Sequence, residues 1–120
     1  MPEQCRLVLT ILGCIVASGF GDAYGFIHSA KVWQNGHIDL TELGKSAAGF
    51  AFGVAAYWFS IRFFDRLGIT FAETQTLVWF ACTIIGVAVL NGKFAHWAMI
   101  DQAVAVCIFA GVGWLMFRTA

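Results

Sequence analysis

Four apolar stretches, each about twenty residues long, dominate the chain and leave room only for short polar connections. They run over roughly 7–30, 45–64, 70–90 and 95–117. A bilayer core of about 30 Å takes about 20 helical residues to cross. No water in lipid satisfies an open backbone, so such stretches fold as helices. Of 120 residues, 60% are hydrophobic and 12% charged, where a soluble domain carries about 25% charged. One soluble core of this size cannot hide that much apolar surface. The sequence therefore predicts an all-α membrane protein: four transmembrane helices in a compact bundle, a single domain over 1–120.

The connections agree with that reading. Residues 31–44, KVWQNGHIDLTELG, form the longest and most polar one. Asn35-Gly36 is a turn signal, and Asp39 or Thr41 is placed to cap a short amphipathic piece before the second span. The second connection, around FDRLGI, and the third, NGKF, are tight turns that force antiparallel neighbours. The N-terminal MPEQCR followed by an apolar run resembles a signal peptide, and ILGC vaguely resembles a lipidation site. The run continues past any cleavage site to Ile27, so it is read as a retained helix.

Seven basic and seven acidic residues cancel, with no Lys/Arg cluster, so no nucleic-acid partner is expected. Arg6, Arg62, Arg66 and Arg118 fall on one side of the four spans, and Lys31, Lys45 and Lys93 on the other. Four against three biases both termini toward the cytoplasm, the side that Lys and Arg favour. Such near-balance also suits a dual-topology protein. A bacterial inner membrane is the expected location. Cys5, Cys14, Cys82 and Cys107 show no CxxC pair and read as small hydrophobes.

An ionisable side chain within a span is costly and is a functional candidate by default. Asp22 is the clearest. Cys14, Ser18, Asp22, Gly25 and Ser29 recur at intervals of three or four, so they share a helix face that should look into the bundle. Asp22 either binds a proton or a cationic substrate, or ties helices together by hydrogen bonds. Asp101, early in the fourth span, is expected on the same side of the membrane as the end of the first. Asp22, His28, His96 and Asp101 thus have a vestibule as one reading and interfacial residues reaching for water as the other. The two histidines are geometrically able to hold a haem. No ligand spacing supports a metal site, and neither metal nor cofactor is expected. Glu73 begins the third span, where a carboxylate suits the helix dipole. It can pair with Arg66 or Arg62 or serve as a gate.

Gly49-xxx-Gly53 and Gly21-xxx-Gly25 have the spacing that lets helices approach closely. The approach lies either within the bundle or between subunits. Trp33, Trp58, Trp97 and Trp114 fall near span ends, as interface belts require. Trp79 does not; it is either packed or available to stack on a cation. No nucleophile elbow, phosphate loop or catalytic triad is present, so enzymatic activity is not expected.

Leu67-Gly68-Ile69 after the second turn, Trp79 in mid-helix, the turn Leu90-Asn91-Gly92-Lys93-Phe94 and Ala110-Gly111-Val112 in the last helix make up a resemblance. In that order and topology the chain resembles the small multidrug resistance group of the drug/metabolite transporter superfamily. The resemblance covers nearly the whole chain. It implies a dimer that moves an amphipathic cation or a lipid-linked metabolite. It also places Ser18 where the drug exporters carry a membrane-embedded Glu, with Asp22 one turn further on. Phe71-Ala72-Glu73 stands in place of a Pro-Thr-Gly entry, and Ala81 and Thr83 replace two small residues. The fold carries over better than proton-coupled export. The alternative is a non-transporting accessory or assembly subunit of a larger membrane complex.

Overall fold

The computed structural model describes residues 2–68 and 70–119, the side chains of Met116 and Thr119 excepted. Ile69, the last residue of the Leu67-Gly68-Ile69 motif, lies outside the described residues. Four α-helices make up nearly all of it: α1 (Glu3–Ser29), α2 (Leu40–Arg66), α3 (Ala72–Asn91) and α4 (Met99–Thr119). α1, α2 and α3 are long and apolar enough to cross a membrane. α4 is a 21-residue helix, apolar over Met99–Leu115.

The third connection delays the start of α4. A helix is expected from residue 95, but the chain spends those residues on the turn. Gly92 leaves α3 in the left-handed conformation (φ 68°), which costs glycine nothing. Phe94–His96 then form one 3-10 turn, and Trp97 is extended before α4 starts. Gln102 folds back over this turn and donates to the carbonyls of Phe94 (3.0 Å) and Ala95 (3.2 Å).

The first connection is more ordered than a loop. Trp33–Gln34 (β1) and His37–Ile38 (β2) pair antiparallel, Trp33 opposite Ile38. Asn35 (φ 52°) and Gly36 (φ 78°) fill the two turn positions with positive φ, which is what a two-residue hairpin asks of that dipeptide. Asp39 closes the hairpin and opens α2. Its carboxylate accepts from the backbone N–H of Thr41 (3.0 Å) and Glu42 (3.2 Å). The capped segment runs on without a break into α2, so no separate amphipathic piece exists.

α1 is the central helix. It packs against both α2 and α3, while α4 packs chiefly against α3. The buried residues of α1 include Ile11, Ile15, Ser18, Gly19, Asp22, Ala23 and Gly25. Both contacts are made by small residues. Gly21 and Gly25 of α1 meet Gly49 and Gly53 of α2: a Cβ at Gly49 would lie 2.6 Å from the Gly25 nitrogen and 2.8 Å from the Gly21 carbonyl oxygen. On the other flank, a Cβ at Gly19 would lie 2.8 Å from Cys82, and one at Gly86 would lie 2.9 Å from the Cβ of Ala23. The two GxxxG sequences are thus used on each other, within one chain. One end of the α1–α3 unit is closed by Ile11, Ile15 and Phe64, with Leu7, Phe63 and Val78 packed around them.

Candidate functional site

At the α1–α2 contact the close helix approach sets up a small polar centre. Ser18 and Asp22 lie one turn apart on the same face of α1, and both are fully buried. The Ser18 hydroxyl donates to the carbonyl of Gly53 (2.7 Å). It accepts in turn from the indole N–H of Trp79 on α3 (3.0 Å). One hydroxyl therefore joins three helices. Asp22 sits directly against Gly53, so close that a Cβ there would collide with its carboxyl group. Neither carboxyl oxygen has a hydrogen-bond partner among the described residues.

Trp79 forms one wall of this centre. Its ring lies against Tyr57 (centroids 5.5 Å apart) and Phe80 (4.9 Å). The indole meets the centre with its N–H edge, the positive rim of the ring. Thr83, one turn beyond Trp79, returns its hydroxyl to the Trp79 carbonyl (3.0 Å). Ser46 ties the far end of the contact by donating to the Gly25 carbonyl (2.8 Å).

Asp22, Ser18 and Trp79, singled out from the sequence, therefore share one site. Asp101 does not belong to it. It is exposed in the first turn of α4, in a shallow groove with Trp97, Val104 and Ile108. The vestibule of Asp22, His28, His96 and Asp101 is not assembled. Asp22 is enclosed, and His96 is exposed on the 3-10 turn. His28 turns to α2, where its Nδ1 donates to the Glu42 carboxylate, and its ring lies on Tyr24 (4.3 Å). Lys45 approaches the other oxygen of Glu42 at 3.8 Å. Membership of the same membrane side told nothing about depth or helix phase, and these separate the four residues.

Glu73 and Arg66 make no ion pair among the described residues. Arg66 lies over the Phe63 ring (5.6 Å), and Glu73 occupies the first turn of α3. No group of three or more His, Cys, Asp or Glu side chains able to hold a metal occurs among the described residues.

Two features escaped the sequence reading. The α1–α3 contact through Gly19, Ala23, Cys82 and Gly86 carries the same four-residue spacing of small side chains as the glycine pairs, and that spacing was its available signal. The His28–Glu42 clasp has no such signal, because it exists only once the hairpin folds α2 back along α1.

Compared with models of protein families, with curated proteins and with solved structures, the chain finds no match.

Proposed function

We propose that the chain is a small integral membrane transporter whose coupling residue is Asp22, acting with Ser18 and Trp79. The substrate is an amphipathic cation or a lipid-linked metabolite, and the working form is a dimer. Three helices long and apolar enough to cross a bilayer support the membrane setting. One observation carries the reading: a fully buried carboxyl group with neither oxygen partnered. A bare negative charge in such a place would stand uncompensated, at a cost proteins do not bear without a partner. The site is completed by a cation, either a proton or the head of a substrate.

The closure of the site supports alternating access. In the state described here Asp22 is sealed by Gly53, and a substrate reaches it only when α1 and α2 part. Parting them breaks the Ser18–Gly53 and Ser46–Gly25 hydrogen bonds and separates the glycine faces. An acid that holds a proton in the closed state and a cation in the open one exchanges the two, which is the coupling step of an exchanger.

The test is reconstitution of the full chain in vesicles enclosing a pH-sensitive dye. A fluorescent lipophilic cation is presented across an imposed proton gradient. The wild type is expected to move protons and dye in opposite directions. Asp22→Asn removes the exchange while the thermal melting of the protein stays within a few degrees. Exchange at the wild-type rate by Asp22→Asn would overturn the assignment.

The accessory-subunit reading is favoured by one observation: α4 has no buried residue among those described, and Ile100, Val104, Val106, Ile108, Trp114 and Leu115 are all exposed. A helix so little covered by its own chain suits an assembly role. Extraction with larger subunits in fixed ratio would support it.

A further inference from the structure

A cleft of about 720 Å³ lies between α3 and α4 beside the turn that joins them, with Phe26 of α1 on its wall. That volume lies within the range of small-ligand sites. Phe80, Ile84 and Ala88 line it from α3, and Ala105 and Phe109 from α4. Thr83 adds little polarity, since its hydroxyl is spent on its own helix. From Phe80 to Val89 the lining rises about 13 Å along α3, nearly one leaflet of a bilayer's hydrocarbon core.

The two ends of the cleft differ. At the turn, Lys93 lines the mouth together with Phe94 and Trp97. No carboxylate pairs with Lys93 among the described residues; Glu42, the one acid in ion pairs there, is engaged by His28 and Lys45. Asp101 lies in the neighbouring groove and does not line this one. Trp97 is half-exposed, and its indole N–H donates to no group among the described residues. An unpartnered ammonium and a free N–H therefore crown an apolar slot one leaflet deep. That is the polarity profile of a lipid with a negative headgroup.

We propose that this cleft seats an anionic glycerophospholipid. The phosphate lies at Lys93, within reach of the Trp97 indole, and one acyl chain descends between Ile84, Ala88 and Phe109. The inference rests on the membrane reading above but not on transport. The lipid fills the space between α3 and α4 and covers Ala105, Val106 and Phe109 of α4.

Two measurements test this on the full chain. Alkaline carbonate washing of membranes comes first: release of the chain into the wash would overturn the membrane reading itself. Native mass spectrometry then compares phosphatidylglycerol with phosphatidylcholine of identical acyl chains, added to the detergent-solubilised protein. Retention of phosphatidylglycerol is expected to exceed that of phosphatidylcholine by about fivefold, the factor one lysine near an anionic surface supplies. Lys93→Gln, at an exposed position that touches no core residue, brings the ratio to about one. Ala105→Trp, which fills the slot, lowers retention of both lipids. Equal retention by the wild type, or an unchanged preference in Lys93→Gln, would overturn the proposal. So would a lipid-free dimer whose second copy occupies the cleft.

Discussion

Gly53→Ala places a Cβ in the Asp22 carboxyl group, whereas Gly13→Ala meets nothing within 4 Å. Both changes gain the helix propensity of alanine, up to about 1 kcal/mol. At position 53 the gain is overrun, since forcing a methyl into a packed contact costs about 1–3 kcal/mol. Melting followed by circular dichroism in detergent should rank Gly13→Ala at or above the wild type and Gly53→Ala well below it. The clash also has a partner that can be removed. In the double variant Asp22→Ala/Gly53→Ala the loss should be smaller than the sum of the single losses by about 0.5–3 kcal/mol, the coupling typical of touching residues. Strict additivity would mean that the carboxyl group and Gly53 do not meet. At this scale much of the site was legible. Ser18, Asp22 and the two glycine pairs share helix faces by spacing alone, and Trp79 stood out as an aromatic far from either end of its span. What spacing could not give was the bond from Trp79 to Ser18, which joins residues 61 apart in sequence and depends on how α1 and α3 are rotated.

The entry into α2 shows how an element can be set by a few polar groups. Asp39 caps its first N–H groups, and the same turn presents Glu42 to His28. Asp39→Ala removes the cap at a cost of about 1 kcal/mol and lets the first turn fray, which also loosens the clasp to α1. Hydrogen exchange should then quicken severalfold at the amides of Thr41, Glu42 and Leu43, with the α1–α2 glycine contact unchanged. His28→Ala leaves the cap in place, so those amides should stay protected while the junction between the end of α1 and α2 loosens. If the two variants gave the same exchange pattern, cap and clasp would be one unit. The elements themselves were readable as four apolar runs, with Asn35-Gly36 and Gly92 as punctuation. The two-residue strands of the hairpin were not, since two residues are too few for any alternation to register. The late start of α4 was equally hidden, because a 3-10 turn and a helix of the same apolar residues look alike in sequence.

Across the whole molecule the four helices do unequal work. α1 is clamped by small residues on both flanks and carries the buried acid, while α4 leans on α3 and buries none of its described residues. The face of α4 that lines the cleft holds Ala105, Val106 and Phe109. Cys107 is exposed and lies about 200° around the helix from Ala105 and from Phe109, at 100° per residue. If the working form is a dimer, this outward face is available to it, and a seated lipid at the cleft does not compete. Oxidative cross-linking in membranes is then expected to give a covalent dimer through Cys107, roughly twice the 13.1 kDa chain. Cys107→Ser should abolish that band, whereas Cys82→Ser, at a partly buried position on α3, should not. The geometry is demanding, because a disulfide forms only between Cα atoms less than about 7 Å apart. A cross-link therefore reports the two α4 helices in direct contact. A dimer by intact mass that never cross-links at Cys107 would move the interface to another face. A chain found only with larger subunits would give the outward face of α4 to them instead, and Asp22 would then serve to hold α1 against α2 rather than to exchange its cation.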